Sequence, residues 1–214
     1  MSGIVYRPLQ IKINDSDFIE GDLHVPEKAR GIVIFSHGSG SSRFSPRNRF
    51  VAESLQKNGF ATFLVDLLTE EEDKDYNKRF DIDLLTSRLL ICTDWVNNNK
   101  ETRSLPIGYF GASTGAASAI KAAVASGNIV KALVSRGGRP DLAMNEAKNI
   151  QAPSLLIVGS LDRDVIALNN TVFKSMSCIK QMIIIEGASH LFEEPGKLEE
   201  VAKNAVNWFD QYLK

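Results

Sequence analysis

Cysteine and histidine are scarce in this chain of 214 residues, which carries two of the first and three of the second. Cys92 and Cys178 fall in apolar stretches read as helical, and no CxxC or Cys/His ligand spacing surrounds them. Two buried thiols are therefore expected, rather than a disulfide or a metal site, and this suits a reducing compartment. Three scattered histidines offer no zinc-type spacing, so a metal enzyme is set aside and no cofactor is expected. Charge of one sign is also missing. With 25 Lys+Arg against 26 Asp+Glu the net charge is −1, which leaves no global field to favour nucleic acid or an anionic membrane. No apolar run approaches a membrane span. Met1–Pro8 lack the apolar core of a secretory leader, so a cytoplasmic protein is expected. There is no internal repeat, low-complexity tract or dividing linker. Residues 1–214 are expected to fold as one domain.

What is present is an alternation of strand and helix. Residues 9–13 alternate apolar and polar, residues 17–25 form a second short strand, and Asn14-Asp15-Ser16-Asp17 reads as the hairpin turn between them. Near-continuous Val/Ile/Leu/Phe runs follow at 31–36, 60–65, 105–110, 130–135, 154–159 and 181–186. Such runs indicate strands covered on both faces, as in a parallel sheet. Ser45-Pro46 marks a helix start and Asn58-Gly59 its stop. Helical spacing also appears over 80–99, over 114–126 before Gly127, and from Pro195 to Leu213. The order predicts a doubly wound α/β sheet with an antiparallel start, whose chemistry belongs on loops beyond the carboxyl ends of the strands.

Gly111-Ala112-Ser113-Thr114-Gly115 fits G-x-S-x-G between a strand and a small-residue helix. A sharp turn there exposes the serine hydroxyl, and the helix N-terminus faces a forming oxyanion. A nucleophilic serine needs a base and a group to orient it. His24 lies at the end of the hairpin, and His37 follows the strand at 31–36. His190 stands in Gly187-Ala188-Ser189-His190, just after the last strand. In Gly159-Ser160-Leu161-Asp162-Arg163-Asp164 both Asp162 and Asp164 qualify as the acid. The order Ser, Asp, His is that of the α/β-hydrolase triad, and each member ends a different strand.

From Gly31-Ile32-Val33-Ile34-Phe35-Ser36-His37-Gly38 to the final helix, the chain resembles α/β-hydrolases of the dienelactone-hydrolase-like group. The resemblance implies a Ser113–His190–Asp162 triad, the G-x-x-D turn giving Asp162 and the G-x-x-H turn giving His190. True dienelactone hydrolases use a cysteine nucleophile, whereas this chain has Ser113. Ordinary ester chemistry (EC 3.1.1) is therefore expected rather than dienelactone itself.

For the oxyanion hole, the Thr114 amide and a donor from His37-Gly38-Ser39-Gly40 are expected, Ser39 first and Gly40 in reserve. Only about one helix fits between the strands at 130–135 and 154–159, near 141–149. No lid domain is foreseen, and an open site for small esters, thioesters or lactones follows. Arg43, Arg47, Arg136, Arg139 and Arg163 are all expected in loops at the predicted active face. One reading is that they, Arg43 and Arg136 above all, bind an anionic substrate. The other is that they pair with Glu70, Glu71, Glu72, Asp73 and Asp75. Two further functions would fit the same fold: a peptidase or amidase acting on short peptides, and a non-catalytic binding protein. Nothing in the sequence decides for or against a homodimer.

Overall fold

In the computed structural model residues 6–214 are described, and the first five residues of the stretch assessed for a leader lie outside them. The hairpin is strands β1 (Arg7–Lys12) and β2 (Phe18–His24), paired antiparallel. Its turn is held by Asn14, whose Oδ1 accepts from the backbone N–H groups of Ser16 (2.9 Å) and Asp17 (2.8 Å). Then follow β3 (Ile32–Ser36), helix α1 (Pro46–Lys57), β4 (Ala61–Val65), α2 (Ile82–Asn98), β5 (Ile107–Ala112) and α3 (Thr114–Ala125). The second half is β6 (Val130–Arg136), a short α4 (Met144–Ala147), β7 (Ser154–Gly159), α5 (Arg163–Ser175), β8 (Lys180–Ile185) and α6 (Lys197–Tyr212). The eight strands form one sheet in the order β1-β2-β4-β3-β5-β6-β7-β8, parallel from β4 to β8.

Side chains alternate across a strand, and here both sides are covered. On β3, Ile32 and Ile34 join one core with Leu89 and Cys92 of α2 and Ile120 of α3. Val33 and Phe35 join the other, with Leu55 of α1 and Phe209 of α6. Phe110 of β5 meets Phe35 with ring centroids 5.0 Å apart. This double coverage explains why strand sequences read as unbroken apolar runs. Each fully buried Leu, Ile or Phe contributes about 1.5–3 kcal/mol.

Successive strands leave β3 in opposite directions, to β4 on one side and to β5 on the other. The crevice beyond the carboxyl ends of β3 and β5 is thus the topological switch point, where α/β sheets bind ligands. It is flanked by residues 37–44 and by the turn at Ser113.

Four local expectations are corrected. Cys178 lies between α5 and β8 and is half-buried, not helical, because α5 stops at Ser175 and the four residues 176–179 carry the chain to the sheet edge. Cys92 is helical and buried, as expected, and burial pushes its thiol up to about 12. The helix read from residue 80 begins at Ile82, because the Asp81 carboxylate caps it by accepting from the Leu84 N–H (2.9 Å). The segment 141–149 is a 3-10 turn (Pro140–Ala143) running into the one-turn α4. Finally, Arg136 is not in a loop but is the last residue of β6, and it is buried.

Candidate active site

Ser113 has φ 51° and ψ −123°, a conformation that L side chains rarely adopt. Such a residue costs on the order of 1–3 kcal/mol and persists only where its surroundings over-determine it. Here its N–H donates to the Arg136 carbonyl (3.2 Å), and its carbonyl accepts from Arg139 (3.0 Å) and Ala116 (3.1 Å). The flanking glycines are required by close approach. A Cβ on Gly111 would stand 2.6 Å from the Ala116 Cα, and one on Gly115 2.2 Å from the Ser36 carbonyl oxygen. Backbone therefore packs directly on backbone where α3 leaves β5. Gly38 completes the contact from β3's side, since a Cβ there would lie 2.9 Å from Ser113 Cβ and 3.7 Å from its Oγ.

The Asp162 and His190 turns converge at the ends of β7 and β8. His190 Nδ1–H donates to Asp162 Oδ2 at 2.6 Å, which fixes the tautomer and leaves Nε2 as the basic nitrogen. Asp164 sits exposed in the first turn of α5 and takes no part in that bond. The His190 ring packs beside Gly137, whose Cβ position would be 3.5 Å from the ring. Gly137 directly follows the residue whose carbonyl holds the Ser113 N–H. The histidine loop has its own supports, which no sequence pattern reveals. Glu194 accepts the Ser189 N–H on both carboxylate oxygens (3.1 Å each) and is held below the usual carboxylate range by those Ser189 contacts. Phe192, buried at φ 58°, anchors the loop in the core.

His37 is fully engaged by backbone. Its Nδ1–H donates to the Gly38 carbonyl (2.9 Å) and its Nε2 accepts from the Leu67 N–H (3.1 Å). That pattern requires neutral imidazole, and burial pushes its pKa below the ordinary value. In the unfolded chain His37 gains its proton near pH 6.5, while the folded state resists it. Its penalty is absent above that value, and stability falls as pH drops from about 6.5 toward the lowered folded value. Urea unfolding of wild type and His37→Gln at pH 7.5 and 5 is expected to show a steeper loss for wild type. Parallel losses would contradict it.

Among the oxyanion candidates, the Thr114 N–H lies in the first turn of α3, where the helix supplies no acceptor. The Ser39 N–H donates to Thr114 Oγ1 (2.9 Å). Gly40 is left-handed at φ 66°. The arginines divide sharply. The Arg43 guanidinium pairs with Asp66 and lies 3.7 Å from Asp22, and the Arg43 backbone N–H donates to Asp66 Oδ1 (2.6 Å). Arg47 pairs with Glu193, and Arg139 with Asp141. The acidic run finds other partners: Glu71 with Lys74, Glu72 with Arg88, and Asp73 with Arg79. Arg136 alone of these five is buried, 5% exposed, and among the described residues no carboxylate pairs with it. Its Nη2 donates to Asn48 Oδ1 (3.2 Å), its Nε has no acceptor there, and burial followed by the nearby Arg47 charge pushes it down to about 10. A cavity of about 640 Å³ lies at the loop after β3, lined by His37, Arg43, Phe44, Asp66, Leu68 and Thr69 among others, and Ser113, Asp162, His190 and Arg136 are not part of its lining.

No group of three or more His, Cys, Asp or Glu side chains among the described residues could hold a metal. No described helix is long and apolar enough to cross a membrane.

Comparison with known proteins agrees with this architecture. The crystal structure of a dienelactone hydrolase from Anabaena variabilis superposes with a TM-score of 0.94 at 49% identity, covering 98% of this chain and 99% of that one. Est1E from Butyrivibrio proteoclasticus shares the fold at a TM-score of 0.82 and 16% identity, covering 95% and 98%. Two Mycobacterium tuberculosis proteins, from strains CDC 1551 / Oshkosh and ATCC 25618 / H37Rv, each bear the name "Putative phosphoribosyl transferase". Each is 54% identical over 195 residues. The match takes in 91% of this chain but only 44% of each relative, so the chain spans less than half the length of these proteins. The family profile for dienelactone hydrolases matches residues 19–213, and the chain belongs to the dienelactone hydrolase family of α/β-fold hydrolases.

Proposed function

We propose that the protein is a serine hydrolase that cleaves small carboxylic esters, thioesters or lactones through an acyl-enzyme on Ser113. The observation that carries this reading is the 2.6 Å Asp162–His190 hydrogen bond. Ser113, held at positive φ at the start of α3, is tied to the same region because its N–H donates to the Arg136 carbonyl and the next residue, Gly137, packs against the His190 ring. His190 takes the Ser113 proton as Oγ attacks the carbonyl, and Asp162 orients the ring and stabilises its charged form. The tetrahedral oxyanion forms at the N-terminus of α3, against the Thr114 amide and the Ser39 turn. His190 then protonates the leaving group and activates the water that clears the ester from Ser113. The phosphoribosyl name of the mycobacterial relatives belongs to proteins that this chain covers only in part, and no residue here is assigned to that chemistry. A panel of aryl esters, thioesters and lactones tests the reading by stopped flow: a burst of leaving group stoichiometric with enzyme is expected where deacylation is slower. Absence of turnover on every class would contradict it.

An anionic group on the substrate is favoured by Arg136, not by Arg43. The Arg43 charge is already offset by Asp66 and Asp22, whereas Arg136 keeps an uncompensated charge next to the histidine loop, with its guanidinium carbon 6.0 Å from the Phe192 ring centre. A charged hydrogen bond contributes about 1.5–3 kcal/mol, so Arg136→Met is expected to lower kcat/KM for an acidic ester roughly 10- to 100-fold more than for its neutral counterpart. Equal losses on both would end the anionic reading. Stability in the same variant is expected to hold or rise, since an apolar side chain replaces a buried charge that has no acid partner.

A further inference from the structure

The oxyanion candidates are joined by a bond that a simple two-amide hole does not contain. The Ser39 N–H donates to Thr114 Oγ1 at 2.9 Å, across 75 positions of sequence. Thr114 is 4% exposed and directly follows Ser113, while Gly38, next to Ser39, stands against Ser113 Cβ. An amide has a single hydrogen, and the Ser39 hydrogen is directed at the threonine oxygen. A hydroxyl, however, accepts and donates at once. No acceptor for the Thr114 hydroxyl proton appears among the described residues.

We propose that the Thr114 side chain is itself an oxyanion donor, with the Ser39 amide acting through it. The Ser39 N–H polarises Oγ1 by donating to it, and Oγ1–H donates to the substrate oxygen beside the Thr114 N–H. Chained hydrogen bonds of this kind strengthen one another by roughly 10–30% per bond. No proton leaves Thr114: its O–H bond persists while the hydrogen bond tightens as charge develops on the former carbonyl oxygen. The residue thus serves twice, through its backbone and its hydroxyl, and ties the loop after β3 to the turn after β5. The opposite arrangement, in which the hydroxyl merely blocks a Ser39 amide that would otherwise reach the substrate, gives an effect of opposite sign.

The inference rests on the serine-hydrolase reading, and one experiment separates the two. Wild type, Thr114→Val and Thr114→Ser are compared on a neutral aryl ester for kcat, KM and thermal midpoint, with Ser113→Ala as the blank. Valine keeps the shape and removes only the hydroxyl. For Thr114→Val, kcat is expected to fall about 10²–10³-fold, the loss typical of one oxyanion donor, with KM changed little. Thr114→Ser, which retains the hydroxyl, is expected to stay within about tenfold of wild type, well above the single-donor loss. Thr114→Val turnover equal to or above wild type would overturn the proposal alone, showing that the Ser39 amide reaches the substrate directly. Equal kcat losses in both variants with a lowered thermal midpoint would also overturn it, by assigning Thr114 a packing role. A wild type no faster than Ser113→Ala would overturn the serine-hydrolase reading and this proposal with it.

Discussion

Ser113→Ala is expected to lower kcat for ester hydrolysis by about 10⁴- to 10⁶-fold, the range seen when a triad nucleophile is removed, with little change in fold. The size follows from what remains: an alanine at position 113 leaves the α3 N-terminus and the Asp162–His190 pair intact, but no oxygen to accept the acyl group. Residual turnover then comes from binding and oxyanion stabilisation alone. The hydroxyl itself makes no hydrogen bond needed to hold the turn, which is fixed through its backbone groups to Arg136, Arg139 and Ala116. His190→Ala is expected to match Ser113→Ala within about tenfold, and the double variant to be no worse than either, because the residues act as one unit. Steady-state rates on a reactive aryl ester check all three. Additive losses in the double variant would mean that Ser113 and His190 do not share a step.

The second large effect concerns folding. Gly115→Ala is expected to destabilise the protein by about 4 kcal/mol or more, into the range where single substitutions become exceptional. The added Cβ would lie 2.2 Å from the Ser36 carbonyl oxygen, 2.5 Å from that of His37 and 2.7 Å from the Ser36 carbonyl carbon. All three are backbone atoms of β3 and its exit, so no side chain can swing aside. The start of α3 cannot retreat either, because Gly111 meets the Ala116 Cα on its other side. Either the helix tilts or β3 shifts, and both movements separate Ser113 from the loop at Gly38. Gly127→Ala is the matched control. Gly127 has a φ of 55° and nothing within 4 Å of its Cβ position, so only the backbone penalty of about 1–2 kcal/mol applies. Urea midpoints of the two variants are expected to differ widely. Equal midpoints would show that the packing of α3 on β3 is slack.

Much of this fold could be read from the chain because its signals are local. Near-continuous apolar runs such as Ile32–Phe35 mark strands sandwiched between helices, and Asn14 and Pro46 mark turns and starts within a few residues. The positions of Ser113, Asp162 and His190 were legible because each follows a strand directly, and in a doubly wound sheet that places them along one edge. The residues alone leave Asp162 and Asp164 both open, and the His190 hydrogen bond goes to Asp162, not to Asp164. What stayed illegible depends on distant pairings. Arg43 meets Asp22 and Asp66, from two other strand regions, rather than the nearby acidic run. Arg136 looked like a loop arginine because β6 runs one residue further than its apolar stretch, and strand alternation then turns its side chain toward Asn48 and Phe192. The Ser39–Thr114 bond joins two motifs that were each recognised, but sequence gives no sign that they touch. Cys178 was misplaced because apolar periodicity continues past the end of α5 into the edge of the sheet.

The serine nucleophile is tested most directly by intact-mass labelling with a fluorophosphonate, on folded wild type beside Ser113→Ala and His190→Ala. A single adduct on wild type, absent from Ser113→Ala and strongly slowed in His190→Ala, is the expected result. An unlabelled, well-folded wild type, or an adduct that persists in Ser113→Ala, would contradict the assignment of Ser113 as the activated nucleophile.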